Sequence, residues 1–329
     1  MIKGVKLLII PWYLCLISLT TLPAYAATHS FLQPLGPIAH EQLFHLYWVV
    51  GLCLIAVLPV IIATPWILWR YRYLNPKATY TPHWTYNRKL EIVLWGGPSA
   101  IVLALSVLLW NATTKLDPYK PLDTAKTPLC VDVIGLNWKW VFIYPQYNRA
   151  TVDTLIIPTN TPVSLRLTSD TVMQSFRISA LAGQIYAMPG MQTRLHFIAN
   201  QAGEAIGENT QFSGKDFARQ QFSLSSVSDD DWQKWLSGKQ ISSMTAESYH
   251  QLAQSGLAEE FSPALAKTGL QAPVFSLQDP ALFDRVVKRY HQGKPVRGTE
   301  QPGAKQFDAK HATLPNITGH TSCSEGRPE

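Results

Sequence analysis

The sequence predicts a membrane protein in two parts: a two-helix transmembrane hairpin and, beyond it, an exported β-sandwich carrying additional C-terminal helices. Three observations predict it. Two long uncharged runs lie in the first third of the 329 residues, every Lys and Arg between them falls in one short loop, and the chain after residue 118 changes to short β-branched and aromatic runs punctuated by Pro, Gly and Asn.

The first 26 residues carry Lys3 and Lys6, an apolar run from Leu7 to Leu19, and Ala24-Tyr25-Ala26, the small-x-small form of an export cleavage site. Residues 1–26 therefore read as a cleaved signal; an uncleaved anchor is the alternative and leaves the topology unchanged. Residues 27–45 form an exported N-terminal segment without Lys or Arg. Residues 46–69 are 24 positions without a charge, enough to cross about 30 Å of hydrocarbon, and Pro59 and Pro65 are tolerable inside such a helix. The loop 70–89 holds Arg70, Arg72, Lys77, Arg88 and Lys89 and no acid, which keeps it in the cytoplasm. The second span is placed at residues 90–110, with Gly96-Gly97-Pro98 in its first turns. Both ends of the mature chain then lie outside. Tyr47, Trp48, Trp66, Trp69, Tyr71 and Trp110 fall near the interfaces, where amphipathic rings settle.

The net charge of +6 is not a nucleic-acid footprint, because from Pro118 onward 20 Lys and Arg face 19 Asp and Glu. Cys15 sits in the signal and Cys53 in the first span. Cys130 and Cys323 reach the exported part, where nothing in the sequence requires them to pair.

Strands are expected at residues 129–135, 138–144, 151–157, 163–168, 173–179, 193–199 and 221–227, making a domain over 118–227. From 228 to 293 the period becomes helical. Ser228 before Asp229, Asp230 and Asp231 is a capped helix start, and Asp279-Pro280 opens a second helix with Leu282, Phe283, Val286, Val287 and Tyr290 on one face and Gly293 at its end. Residues 294–329, polar and rich in Gly and Pro, read as a disordered tail.

Two strings then carry a family resemblance. Arg88-Lys89-Leu90-Glu91-Ile92-Val93-Leu94-Trp95 with Pro98 resembles the start of the second membrane helix in subunit II of haem-copper respiratory oxidases. Asn137-Trp138-Lys139-Trp140-Val141-Phe142-Ile143-Tyr144-Pro145, with residues 184–195 around Met188-Pro189-Gly190-Met191, is similar to the quinol-oxidising branch of that family, the cytochrome bo-type ubiquinol oxidases. The resemblance covers roughly residues 31–290. It implies a cupredoxin-like exported sandwich, a bacterial inner-membrane location with that domain in the periplasm, and a proton-pumping complex that oxidises membrane quinol and reduces oxygen to water. It also implies a large haem-copper subunit I carrying the haem and copper, with further small membrane subunits as partners.

In the cytochrome c-oxidising branch a dinuclear copper centre occupies the sandwich. Laid on this chain, its ligand positions become Gln174, Asn209, Gln211, Ser213, Phe217 and Gln220. The stretch 207–222 contains no Cys, His or Met, and amides and hydroxyls are weak ligands for copper, so this domain is expected to be metal-free. The chain departs from its best-known relatives in having no cysteine near Ala26 to be lipid-modified, and Gly96-Gly97 replaces a more usual polar and branched pair.

Glu91, at the cytoplasmic mouth of the second span, is implied by the resemblance to stand at a proton-uptake entrance. The competing reading is an acid stabilised by the helix dipole alone. Trp138 and Trp140 read as packing rather than as an electron path, and His196 as a structural histidine without a partner at ligand spacing. Two other functions remain open at this point: a copper-carrying electron acceptor for cytochrome c, and a membrane-tethered binding module outside any enzyme.

Overall fold

A computed structural model describes residues 30–73, 75–78, 83, 85–122, 124 and 126–317. The expected signal, residues 1–26, lies outside them. Helix α1 (Pro37–Arg70) and helix α2 (Arg88–Lys115) are both long and apolar enough to cross a membrane. Asn87 caps α2 by accepting from the Lys89 and Leu90 amides. Large apolar side chains such as Ile62, Leu68, Trp95 and Leu103 stand exposed along both helices, as they must where lipid is the solvent.

Helix α1 begins nine residues before the expected 46, and packing against the exported domain is the reason. Leu35, Ala39 and Leu43 are buried there. The Leu35 amide donates to the Ala180 carbonyl, and Leu35 accepts from Asn200. Gly36 permits the approach, because a β-carbon at that position would lie 2.2 Å from the Ile198 carbonyl oxygen. At the ends nearest the sandwich the helices are joined by Lys115 and Glu41, 2.9 Å apart.

The sandwich comprises β1 (Leu129–Leu136), β2 (Lys139–Tyr144), β3 (Arg149–Val152), β4 (Thr154–Pro158), β5 (Pro162–Ser169), β6 (Gln174–Ile178), β7 (Ala182–Ala187), β8 (Thr193–Ile198), β9 (Gly203–Asn209) and β10 (Gln221–Val227). Two further strands, β11 (Ser242–Met244) and β12 (Phe275–Leu277), come from the C-terminal extension. One sheet runs β11-β12-β3-β2-β1-β5-β8 and the other β4-β10-β9-β6-β7.

The expected strand at 151–157 is corrected to two strands in different sheets. Asp153, with φ of 49°, breaks it: its carboxylate accepts the Trp140 amide at 2.6 Å while its own amide donates to Trp140, so the chain turns from β3 into β4. Strands β7 and β9 were not foreseen, since Gly and Ala dilute their alternation. In β9 the small residue is required, because a β-carbon on Gly207 would fall 1.9 Å from the Phe222 ring.

Alternate residues of β1 and β2 enter two different cores. Val131, Val133, Trp140, Phe142 and Tyr144 point between the sheets, where Phe176 stacks on Phe222 at 4.9 Å and Trp140 meets Phe176 edge-on at 5.2 Å. Ile134, Leu136, Val141 and Ile143 point the other way and meet Tyr249, Leu252, Phe283, Val286 and Leu314. The helix α3 (Asp229–Ser237) buries Trp232 and Trp235 in the first of these cores, while the rest of the extension forms a third layer built from α4 (Ala246–Leu252), α5 (Ala258–Phe261) and α6 (Leu282–Arg289) with connecting turns. The Ser228 hydroxyl caps α3 by accepting the Asp231 amide. Each large side chain in these cores contributes about 1.5–3 kcal/mol by leaving water.

Two expectations for the C-terminal region change. Residues 228–293 are not wholly helical, because β11 and β12 extend the larger sheet past β3. Residues 294–317 are not a free tail: Ala309, Ala312 and Leu314 are buried, Arg285 donates to the Leu314 and Pro315 carbonyls, and Arg289 donates to the Glu300 carbonyl. A polar composition concealed a segment held by its backbone carbonyls and a few small apolar groups. Residues 318–329, including Cys323, lie outside the described part.

Candidate functional site

The six positions named from the sequence lie at one end of the sandwich, but in unequal roles. Gln174 opens β6, Asn209 closes β9, Gln220 directly precedes β10, and Ser213 sits in the loop between the last two. Gln174 and Gln220 are fully buried and Asn209 nearly so. Their side chains bond to one another. Gln220 Nε2 donates to Gln174 Oε1 at 2.8 Å and to the Leu136 carbonyl at 3.3 Å. Gln174 Nε2 donates to that same carbonyl at 2.8 Å and to Thr171 Oγ1 at 3.0 Å. Asn209 Nδ2 donates to Gln220 Oε1 at 2.9 Å and to Ser213 Oγ at 3.1 Å.

All three amide groups thus use both of their N–H donors, and each carbonyl oxygen has a donor. Asn209 Oδ1 accepts the Ser175 and Gln211 backbone amides at 2.9 and 3.0 Å. Gln211 joins only through that backbone bond. Phe217 stays outside the network, its ring edge-on to Phe212 at 5.1 Å. The arrangement does not fit copper: amide and hydroxyl oxygens are poor donors for it, and the amide nitrogens present hydrogens, not lone pairs. Among the described residues no three His, Cys, Asp or Glu side chains gather as metal ligands.

The neighbours of this network were not legible in the sequence. Gly135 makes room for it, since a β-carbon there would lie 2.3 Å from Gln174 Oε1. Trp138, in the left-handed region at φ 66°, reaches over the loop and donates its indole N–H to the Ser213 carbonyl at 3.3 Å. Gly214, at φ 115°, lies beneath that ring. Trp138 thus packs on the loop and Trp140 in the inter-sheet core. His196 is half-buried on β8, where burial first and Arg194 second lower its pKa.

A second buried cluster adjoins the first through the loop 169–174. Asp170, fully buried, accepts from Arg289 Nη1 at 3.0 Å through both carboxylate oxygens, from the Tyr249 hydroxyl at 2.7 Å and from the Tyr290 hydroxyl at 2.9 Å. Arg289 Nη2 also meets His250 Nε2 at 3.2 Å. Burial pushes Asp170 up, to about 6, against the pull of the guanidinium and the hydroxyls. Burial, then Arg289 and Arg285, lower His250 to about 4, so its imidazole is neutral and accepts from the guanidinium. On the same outer face of the sheet, Asp132 holds Arg166 through two bonds of 2.6 Å.

Lys139 completes the polar end. Strand alternation turns it away from Trp140 and into the extension, where its ammonium donates to the Gln254 and Gly256 carbonyls at 2.8 and 2.6 Å and lies 4.2 Å from the centre of the Phe261 ring. Burial lowers its pKa to about 7, against Asp153 and Glu260. The string Lys-Trp-Val-Phe-Ile-Tyr of β2 carried the signal: with Trp140, Phe142 and Tyr144 facing one core, Lys139 must be buried on the opposite face wherever that face is covered too.

Glu91 stands in the first turn of α2, far along the chain from this end, and accepts the Trp95 indole N–H at 3.1 Å.

Comparison with known proteins agrees with this architecture. Residues 150–227 match the family described as cytochrome c oxidase subunit II, periplasmic domain. Over 283 residues the chain is 40% identical to the cytochrome bo(3) ubiquinol oxidase subunit 2 of Pseudomonas putida, covering 84% of this chain and 86% of that protein. It is 38% identical over 266 residues to the ubiquinol oxidase subunit 2 of Acetobacter aceti, covering 80% and 83%. It is 33% identical over 293 residues to the corresponding subunit of Pseudomonas aeruginosa, covering 88% and 84%. With this identity running through both the hairpin and the three-layered domain, the chain belongs to the subunit 2 family of the ubiquinol oxidases.

Proposed function

We propose that this chain is the cofactor-free subunit II of a proton-pumping ubiquinol oxidase, anchored by its hairpin in a bacterial inner membrane with the sandwich in the periplasm. One observation carries the reading over a copper-bearing acceptor for cytochrome c: the positions that would hold copper are filled by Gln174, Asn209, Ser213 and Gln220, bonded to one another. With no redox group of its own, the chain's work is structural. Electrons enter from membrane quinol at the large haem-copper subunit, which holds the haem and copper, and further small membrane subunits complete the assembly. The domain boundaries that go with this reading are a signal over 1–26, a cytoplasmic loop over 70–89, and spans on either side of it.

The chain's chemical contribution is assigned to Glu91. Its carboxylate sits at the cytoplasmic end of α2, within reach of water and beside the span, where it can take up protons for the large subunit. Glu91→Gln keeps the shape and the Trp95 contact and removes the titration. Haem content and assembly should stay at wild-type levels while turnover and proton pumping fall severalfold; unchanged turnover and pumping would sink this role.

Mild extraction through a tag on this chain tests the whole reading. The expected result is a haem-containing complex with quinol oxidase activity, whose copper stays with the large subunit when this chain is removed. Copper retained by the isolated chain would favour the cytochrome c alternative. A chain that comes out alone would favour a tethered binding module.

A further inference from the structure

A cavity of about 390 Å³ lies between the outer ends of the two helices and the edge of the sandwich formed by β7 and β8. Its walls include Ile38 and Gln42 of α1, Lys115 at the end of α2, Asp117 and Lys120 of the following turn, and His196 of β8. None of these residues belongs to the amide network or to the Glu91 end.

Depth is the first argument. Lys115 follows Trp110, the last residue of the expected second span, by five positions, and Gln42 precedes Leu46, the first residue of the expected first span, by four. At about 1.5 Å per helical residue both stand roughly 6–8 Å outside the hydrocarbon, which is the headgroup layer of a bilayer. The cavity opens where the lipid-facing surfaces of α1 and α2 end.

Charge is the second. Two lysines and one aspartate line a space that is otherwise apolar or amide, and Lys115 is also held by Glu41 at 2.9 Å. The His196 imidazole is lowered by burial and by Arg194, so at neutral pH it adds a hydrogen-bonding ring without a charge. The lining therefore offers separate positive and negative groups with little net charge. A simple anion would meet Asp117 as well as the lysines. A ligand carrying both signs a few ångströms apart would satisfy both.

We propose that this cavity seats the headgroup of a phosphoethanolamine lipid, with Lys115 and Lys120 on the phosphate and Asp117 on the ammonium, its acyl chains running down the α1–α2 hairpin. The exposed Lys115–Glu41 pair is weakly held and can release Lys115 to the phosphate. Such a lipid fills space at the junction between hairpin and domain beside the contacts of Leu35, Ala39 and Leu43 and the backbone bond from His196 to Pro118. The proposal rests on the membrane reading of the hairpin and not on the catalytic role of the complex.

The test uses the intact complex, delipidated in mild detergent and titrated with short-chain phosphatidylethanolamine, phosphatidylglycerol or phosphatidylcholine, with bound lipid counted by native mass spectrometry. Wild type should bind phosphatidylethanolamine most tightly. The Lys115→Gln/Lys120→Gln variant should lose affinity for it about threefold to tenfold, the scale of two exposed charge contacts. Asp117→Asn should narrow the preference for phosphatidylethanolamine over phosphatidylglycerol. Equal affinity in wild type and double variant overturns the proposal, as does tighter binding of phosphatidylglycerol by wild type or displacement of the lipid by millimolar inorganic phosphate. The wild-type lipid ranking needs no variant to assemble. Haem content and quinol oxidase activity, measured alongside, report failure of the assembly reading separately.

Discussion

Two buried polar clusters share one end of the sandwich and solve the same problem in opposite ways. The amide network of Gln174, Asn209, Ser213 and Gln220 is neutral, and its members bond to one another and to nearby backbone groups and the Thr171 hydroxyl. The cluster around Asp170 is ionic, and its members come from residues 79 to 120 positions away along the chain. A neutral amide costs little to desolvate once paired, whereas a buried carboxylate or guanidinium costs several kcal/mol and is tolerated only with its partner in place. The first cluster fills a space within the sandwich. The second makes the extension obligatory, because Asp170 has no cation until α6 delivers Arg289.

That contrast can be broken most sharply at Arg289. Arg289→Met leaves Asp170 buried beside two hydroxyls with no cation, and the exported domain should lose about 3–5 kcal/mol, read from denaturant unfolding followed by tryptophan fluorescence. A loss no larger than that of an exposed arginine would show that the ionic cluster does not hold the extension.

Lys139 sharpens the comparison through pH. Its folded pKa of about 7 lies below the ordinary 10.5, so between these values the unfolded chain binds more protons and stability rises with pH. From pH 7 to 9 the lysine adds about 2 kcal/mol, a gain absent below pH 7. In Lys139→Met that rise should vanish, which unfolding curves of wild type and variant at the two pH values would reveal.

The smallest effect is expected in the amide network. Gln174→Leu removes the acceptor of Gln220 Nε2 but leaves that group its bond to the Leu136 carbonyl, so the cost should be about 1–2 kcal/mol and nearly independent of pH. A strong pH dependence in this variant would mean that the two clusters are coupled through Thr171, which hydrogen-bonds Gln174.

Much of the architecture was legible because its signals are local. An uncharged run long enough for a bilayer and Ser228 before three aspartates each state their structure within a few residues. The strand periods were equally plain where large side chains alternate, and failed at β7 and β9, where Gly and Ala are needed for close approach. Asp153 escaped notice because one residue at positive φ moves the chain to another sheet without interrupting the β-branched run. Of the candidate site, the sequence named the four side chains that bond and two that stand aside, but no residue pattern distinguishes Gln211 and Phe217 from the rest.

Residue types by themselves determined the two spans, the orientation signal in the loop, and the absence of soft ligands from 207–222, since hydrophobic length, charge and donor chemistry are properties of the side chains wherever the chain carries them. Only the tertiary structure decided that the second face of the larger sheet is covered, that Lys139 and Asp170 are consequently buried, and that three amides and a hydroxyl close upon one another. The reason is separation: Asp170 and Arg289 stand 119 residues apart, and no local period records which distant segment will supply a buried group with its partner.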